Sequence, residues 1–152
     1  MDWITRERPK IDRVACPWLI TRFVDPAAVF HFVPPAAVRE RAQALGATPF
    51  DVEGVELSHD GPLCTFDAVL AKYGLSDPAL QEIARIVRGA DTARLDLAPQ
   101  CAGLLAISLG LSQLFRDDQV MIRHGFVMYD ALYAWARYAQ GETHTWNPQR
   151  NV

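Results

Sequence analysis

Cysteine is scarce in this sequence. The three cysteines, Cys16, Cys64 and Cys101, lie far apart and are odd in number. Small secreted proteins pair an even set of closely spaced cysteines, so a disulfide framework is excluded. The first ten residues contain no apolar stretch of the kind found in a secretion signal. We therefore predict a cytoplasmic protein whose thiols are free.

The sequence also lacks a long hydrophobic run. Its most apolar stretch, residues 101–115, is interrupted by Ser108, Ser112 and Gln113. That stretch is shorter than the roughly 20 residues needed to cross a bilayer, so it predicts a buried helix and no membrane span. The formal net charge of −3 argues against direct nucleic-acid binding by this domain, because such proteins are normally basic.

The standard catalytic signatures are absent as well. The sequence contains no nucleophile elbow, zinc-protease helix motif, phosphate-binding loop, dinucleotide fingerprint or C-x-x-C pair. No single short motif therefore indicates the function, and the candidate functional groups are polar residues scattered along the sequence.

The pattern of apolar residues predicts an α+β fold in one domain over residues 1–152. Short β-type runs occur near residues 2–5 and 28–33, and a hairpin is expected around Glu53-Gly54. From residue 64 onward the periodicity is helical, with one helix ending at Gly89 and a last helix over about 118–139. We therefore expect a small N-terminal sheet with flanking helices, a helical C-terminal half, and a mobile tail over 141–152.

The segment SHDGPLCTFD carries three potential metal ligands, His59, Cys64 and Asp67. Imidazole, thiolate and carboxylate groups suit zinc or iron, although the spacing matches no standard zinc finger. The alternative is structural, since Asp67 in the first turn of a helix would cap orphan N–H groups there. The local sequence leaves both interpretations open.

Two further segments offer groups that can complete a pocket. Arg88 and Asp91 lie where a helix is predicted to give way to a loop, and loops between helices often line binding sites. His144 stands in the polar tail and becomes a candidate fourth ligand if the tail folds back. Arg88 near a helix end and a mobile terminus are the structural alternatives.

The N-terminal region is locally basic. Lys10 and Arg13 belong to a cluster of cationic residues that precedes Cys16, and Pro17 then opens a helical stretch. A thiol at a helix N-terminus beside cations has a lowered pKa and is a candidate nucleophile or redox group. A buried free cysteine is the structural alternative.

Several segments in fixed order resemble the C-terminal domain of the chromate-resistance protein ChrB. They are RPKIDRVACPWLITRFVDP, PFDVEGVELSHDGPLCTFD, VRGADTARLDLAP, GLSQLFRDD, YDALYAWAR and ETHTW. The resemblance implies a domain of a chromate-responsive regulator whose full-length members carry a further N-terminal region. A DNA-binding role residing in that region is not transferred here.

Together these observations lead to one functional hypothesis and one rival. A polar pocket is expected to bind zinc or iron through His59, Asp67, Asp91 and His144. Lys10, Arg13 and Arg88 would receive an oxyanion such as chromate in the same pocket or hold the carboxylates in place. Cys64 and Cys16 are the candidate catalytic thiols if the domain is a metal-dependent oxidoreductase. The rival is a metal-free regulatory module that forms a homodimer through its C-terminal helices.

Overall fold

The computed structural model describes residues 1–145. Three strands and six helices follow one another along the chain, with single 3₁₀ turns at Pro35–Ala37 and Leu95–Leu97. Their order and bounds are β1 (Asp2–Arg6), α1 (Asp12–Phe23), β2 (Val29–Val33), α2 (Val38–Leu45), β3 (Thr48–Pro49), α3 (Thr65–Lys72), α4 (Pro78–Asp91), α5 (Cys101–Leu114) and α6 (Asp118–Tyr138).

The three strands form one parallel sheet in the order β2-β1-β3. Trp3 of the central strand pairs with Phe30 on one side and Thr48 on the other. The predicted hairpin at Glu53-Gly54 is wrong. Short strand β3 pairs in parallel with β1, and the chain on either side of Glu53-Gly54 is joined by a parallel bridge between Phe50 and Leu57.

A helix covers each face of the sheet. Successive side chains of the central strand point to opposite faces, so both faces carry apolar side chains that must be buried. Trp3 belongs to the large core built around α1, whereas Ile4 faces a smaller core with Val38 and Ala42 of α2. A left-handed glycine, Gly46 at φ 63°, ends α2 and turns the chain into β3. Helix α1 connects β1 to β2 and helix α2 connects β2 to β3, and these two connections allow all three strands to run in the same direction.

The helical half packs against the outer side of α1, where α6 and α3 contact it. Helix α4 starts at an Asp77 cap and does not stop at Gly89 as predicted, but continues to Asp91. A Cβ on Gly89 would lie 2.6 Å from the Arg94 carbonyl oxygen and collide with the Cys101 thiol. Gly89 is therefore a close-packing residue between α4 and the start of α5.

The predicted α+β class is confirmed, with a small N-terminal sheet, flanking helices and a helical C-terminal half. Within residues 1–145 no helix combines the length and apolar character needed to span a bilayer. The predicted mobile tail begins at residue 141, and its residues 146–152 lie outside the described part of the chain.

Candidate functional site

A cleft of about 830 Å³ opens at the carboxyl ends of the parallel strands. Arg6 ends β1, Pro35 follows β2 and Asp51 follows β3. Ligands of open parallel sheets bind at this edge, where the chain connections leave a crevice. The residues that line the cleft are Arg6, Lys10, Arg13, Pro35, Asp51, Val52, Glu53, Gly54, Val55, Ser58, His59 and Asp91.

One histidine at the base of the cleft faces three carboxylates. The His59 Nε2 atom lies 3.0 Å from Asp91 Oδ2, 3.3 Å from Asp51 Oδ1 and 3.5 Å from Asp12 Oδ2. The carboxylate side chains are 16%, 8% and 0% exposed, whereas the imidazole is 40% exposed. Ligand atoms of Asp12, His59 and Asp91 all lie within 4.8 Å of one another, which makes them a candidate metal-binding group.

Asp12, the first residue of α1, is fixed by the start of another helix. Its carboxylate accepts hydrogen bonds from the Thr65 and Phe66 N–H groups at 2.7 and 2.9 Å. These are orphan donors of the first turn of α3, so the carboxylate joins α1 to α3 and complements the α3 dipole. The Cys16 thiol also donates to it, with Sγ 3.3 Å from Oδ1.

Asp51 stands between the acidic base of the cleft and its basic wall. Its Oδ1 atom accepts a 2.8 Å hydrogen bond from the Thr65 hydroxyl, while Oδ2 accepts one of 3.0 Å from Arg6. The Arg13 Nε atom lies 3.4 Å from the same Oδ2. Burial and the nearby Asp12 carboxylate raise the pKa of Asp51 above its ordinary value.

The surrounding carboxylates favour the protonated form of both His59 and Asp91. Burial and the neighbouring carboxylates Asp12 and Asp51 raise the pKa of Asp91 to about 7. The hydrogen bond to Asp12 and the surrounding negative charges raise the pKa of His59 to about 9. Near neutral pH the imidazole therefore carries a proton, and the Asp91 carboxyl is close to its titration midpoint.

Unusual backbone conformations concentrate around this cleft. Ile11 at φ 47°, Asp51 at φ 51° and Ala93 at φ 57° all adopt positive φ values that disfavour residues with a Cβ. Ile11 precedes Asp12, and Ala93 comes two residues after Asp91. The buried Tyr129 hydroxyl donates to the Ile11 carbonyl and supports its conformation. Strain of this kind clusters at functional sites.

The basic wall of the cleft consists of Arg6, Lys10 and Arg13. Arg13 donates through one terminal nitrogen to the Arg6 and Glu7 carbonyls, which holds its guanidinium against the cleft. Burial and the neighbouring Arg6 lower the pKa of Arg13 from its usual range. Within residues 1–145 the buried Arg6 Nε–H has no hydrogen-bond partner.

Comparison with known proteins identifies the family. The family described as ChrB, C-terminal domain, matches residues 3–136. The chain belongs to this family. It is 35% identical over 134 residues to Protein ChrB of Cupriavidus metallidurans, a match that covers 86% of this chain and 39% of that protein. No solved structure gave a significant match.

Family membership confirms the resemblance drawn from the quoted segments. The chain spans well under half the length of its ChrB relative, so this domain corresponds to only one part of that protein. Residues 3–136 include every group that faces the ChrB-family cleft.

Asp67 and Arg88, two residues that the sequence analysis placed in the pocket, pair with each other instead. Arg88 donates to both Asp67 oxygens, at 2.9 and 2.6 Å. The same carboxylate accepts the Cys64 N–H at 3.0 Å and closes a capping box at the start of α3. The capping alternative thus describes the geometry of SHDGPLCTFD around Asp67, whereas His59 points into the cleft.

The remaining predicted residues divide in a similar way. Lys10, Arg13 and Asp91 line the cleft, but His144 is exposed in the segment after α6 and lies outside the three-residue ligand group. Cys16 and Cys64 are fully buried, and burial with nearby carboxylates raises the pKa of both thiols. Such thiols stay protonated, which is opposite to the activation that thiol catalysis requires.

Asp12, Asp51 and Arg6 were not among the predicted site residues, although Arg6 belongs to the cationic cluster that contains Lys10 and Arg13. Asp51 becomes visible as a candidate only once β1 and β3 are known to be parallel, because it then follows the carboxyl end of a strand. Asp12 has a weaker signal, since an acidic residue at a helix start is ordinarily explained by the helix dipole.

Proposed function

We propose that this ChrB-family domain serves chromate resistance by binding a transition metal ion at Asp12, His59 and Asp91. One observation carries the proposal, namely three carboxylate oxygens within 3.5 Å of a single ring nitrogen. A single N–H can point at only one of these acceptors. A metal ion placed among the groups would neutralise all of them at once, as buried carboxylates require.

The spacing of the groups supports zinc or iron as the bound metal. Ligand atoms about 2.0–2.1 Å from a tetrahedral zinc ion lie roughly 3.3–3.4 Å apart. The separations of His59 Nε2 from Asp91 and Asp12 are 3.0 and 3.5 Å and bracket this value. Imidazole and carboxylate together suit zinc, iron and similar ions. The cleft side of the group leaves room for a further ligand.

The basic wall supports a second ligand, a tetrahedral oxyanion such as chromate. Arg6, Lys10 and Arg13 line the same cleft as His59 and Asp91. Asp12, Asp51, Asp91 and Glu53 carry one negative charge more than these three cations, so a bound divalent cation would make the net charge of the cleft positive. A positive cleft favours an anion, and guanidinium groups bind oxyanions through paired N–H donors.

The environment of the thiols favours sensing over reduction of the oxyanion. Reduction by Cys16 or Cys64 requires an exposed thiolate, and both side chains are fully buried with raised pKa values. We therefore infer a binding and sensing domain in which metal and oxyanion occupancy are the signal. The charged loops of the cleft are the elements that would respond.

The test is elemental analysis and zinc titration of the purified domain alongside two pairs of variants. His59→Ala and Asp91→Asn are expected to lose stoichiometric metal, because each removes a ligand. His144→Ala and Asp96→Asn are matched controls at exposed positions outside the cluster and should bind as the wild type does. A wild-type domain that takes up neither zinc nor iron after reconstitution would overturn the metal proposal.

A homodimeric interaction module remains the second candidate, and one surface favours it. Helix α5 contains no charged residue, and Ile107, Leu109 and Leu114 on it are exposed. Exposed apolar faces of this kind often mark interfaces. If this is the function, Leu114→Lys would dissociate a dimer in sedimentation analysis, and a chelator would leave the melting temperature unchanged.

A further inference from the structure

We propose that Asp51 couples the two ligands of the cleft, so that a bound cation releases Arg6 and Arg13 to bind the oxyanion. This inference rests on the proposed function above and concerns its regulation. Metal and oxyanion would then bind with positive cooperativity. Asp51 acts as a positioning residue, because it controls the arginines and is not one of the three proposed metal ligands.

The carboxylate of Asp51 belongs to both halves of the cleft. Its Oδ1 atom is 3.3 Å from His59 Nε2 on the cation side, and Oδ2 is 3.0 Å from an Arg6 terminal nitrogen on the anion side. The side chain is only 8% exposed, so water cannot take the place of a lost partner. A change of charge at His59 therefore alters the interaction of Asp51 with Arg6.

The two arginines are held back from an anion by this same carboxylate. The Oδ2 atom contacts Arg13 Nε at 3.4 Å as well as Arg6, so one acidic oxygen occupies both guanidinium groups. The Arg6 Nε–H is buried and has no partner among the described residues. The Arg6 and Arg13 donors that now contact Asp51 would become available to a tetrahedral anion if the carboxylate turned away.

A bound cation would draw Asp51 in that direction. A divalent ion among Asp12, His59 and Asp91 would replace the single positive charge of the imidazolium with two positive charges close to Asp51 Oδ1. The carboxylate is then attracted towards the metal, and its hold on the arginines weakens. Coupling between sites is reciprocal, so bound oxyanion must strengthen metal binding by the same factor.

Direct attraction between the metal and the anion would also produce cooperativity, and the charge of Asp51 separates the two explanations. In Asp51→Asn the arginines are free without any metal. The variant should therefore bind the anion more tightly than the wild type in the absence of metal, and gain less when metal is added. A purely structural role for Asp51 predicts weaker anion binding in both states.

The experiment is isothermal titration of sulfate, a non-oxidising tetrahedral dianion, into the domain with and without saturating zinc chloride. In the wild type, zinc is expected to tighten sulfate binding by about 5- to 150-fold, the usual range of allosteric coupling. Asp51→Asn should bind sulfate more tightly than the metal-free wild type and show a smaller zinc effect. Thr65→Val is the matched control, since it removes a hydrogen bond to Asp51 and leaves its charge.

The outcomes distinguish this inference from the proposed function. No zinc binding by the wild type overturns the proposed function and the coupling with it. Zinc and sulfate that bind independently overturn the coupling alone. An undiminished zinc effect in Asp51→Asn assigns the cooperativity to direct attraction and overturns the role of Asp51. If Asp51→Asn does not fold, Arg6→Gln tests the same link, and an unchanged coupling factor there contradicts the inference.

Discussion

Asp67 and Asp12 both accept hydrogen bonds from the N-terminus of α3, but their surroundings differ. Asp67 lies inside α3 and pairs through both oxygens with Arg88, so its charge is matched by one cation. Asp12 comes from α1 and shares His59 with two further carboxylates. The first arrangement is complete as a structural cap, whereas the second concentrates negative charge.

The comparison shows what distinguishes a candidate site from a structural ion pair. The Asp12 side chain is buried and that of Asp67 is only 10% exposed, and both accept hydrogen bonds from N–H groups, so exposure and capping do not separate them. The difference is the excess of carboxylates around one imidazole, together with positive φ at Ile11 and Asp51. Strain and unmatched charge both cost stability, and a ligand compensates for the charge.

Removing Asp12 should give the largest effect. Asp12→Ala leaves the buried Thr65 and Phe66 N–H groups without an acceptor, so we expect the free energy of unfolding to fall by about 3 kcal/mol. Zinc binding should be lost at the same time. Urea denaturation and zinc titration measure the two effects. The exposed control Asp96→Ala should stay within about 0.5 kcal/mol of the wild type. Normal zinc affinity in Asp12→Ala would contradict the assignment of this ligand.

A second prediction concerns the helix that presents Asp91. In Gly89→Ala the new Cβ meets the Arg94 carbonyl and the Cys101 thiol, so overpacking should cost about 1–3 kcal/mol. Displacement of the α4 end should also weaken zinc binding through Asp91. Gly103→Ala on exposed α5 has no atom near its Cβ and should stabilise the domain by about 1 kcal/mol. Equal effects of the two changes in urea denaturation would contradict the packing role of Gly89.

A smaller loss of stability is expected at the ion pair between Asp67 and Arg88. Asp67→Asn keeps an acceptor for the Cys64 N–H but removes the charge that holds Arg88, and we expect a loss of about 1–2 kcal/mol. Zinc affinity should not change, because Asp67 lies outside the ligand group. The same change at Asp12, on the other carboxylate of this helix end, should weaken zinc binding. Equal zinc affinities of Asp67→Asn and Asp12→Asn would contradict the assignment of Asp12 to the metal site and of Asp67 to a structural cap.

The positions of these variants also show which features of the fold could be predicted from the sequence and which could not. The α+β class and most helices followed from apolar periodicity, since amphipathic faces are local features. Gly89 was interpreted as a helix end because glycine is common there, and its packing against Cys101 depends on a tertiary contact that periodicity cannot contain. Asp91 was consequently predicted in a loop, although α4 extends to it.

The same limit applies to the site. His59 and Asp91 were selected from their residue types, and the structure brings them to 3.0 Å. Arg88 was expected to bind the oxyanion or to hold carboxylates in place, and it pairs with the Asp67 carboxylate. The local sequence did not show that Asp67 is a helix cap and not a metal ligand, because an acidic residue in the first turn of a helix suits both roles. Asp51 was missed since the expected hairpin concealed a parallel strand pair, and with it the rule that carboxyl ends of parallel strands form binding sites.

The last prediction concerns pH, where the expected effect is smallest. The pKa values of His59, about 9, and Asp91, about 7, are both raised above their ordinary values. The metal-free native state therefore holds protons that the unfolded chain releases. Its stability should fall as pH rises from about 3.9 to 7 for Asp91 and from about 6.5 to 9 for His59. Zinc needs both groups deprotonated, so protons compete with the metal.

The increase in melting temperature caused by zinc should therefore grow between pH 6 and pH 8.5. Thermal denaturation with zinc chloride and with a chelator, in a non-coordinating buffer, measures this increase at each pH. His59→Ala serves as the control, because without the imidazole the zinc effect should vanish at every pH. His144→Ala should follow the wild type, since this exposed histidine lies outside the ligand group. A zinc effect that is independent of pH in the wild type would mean that the ion binds groups other than His59 and Asp91.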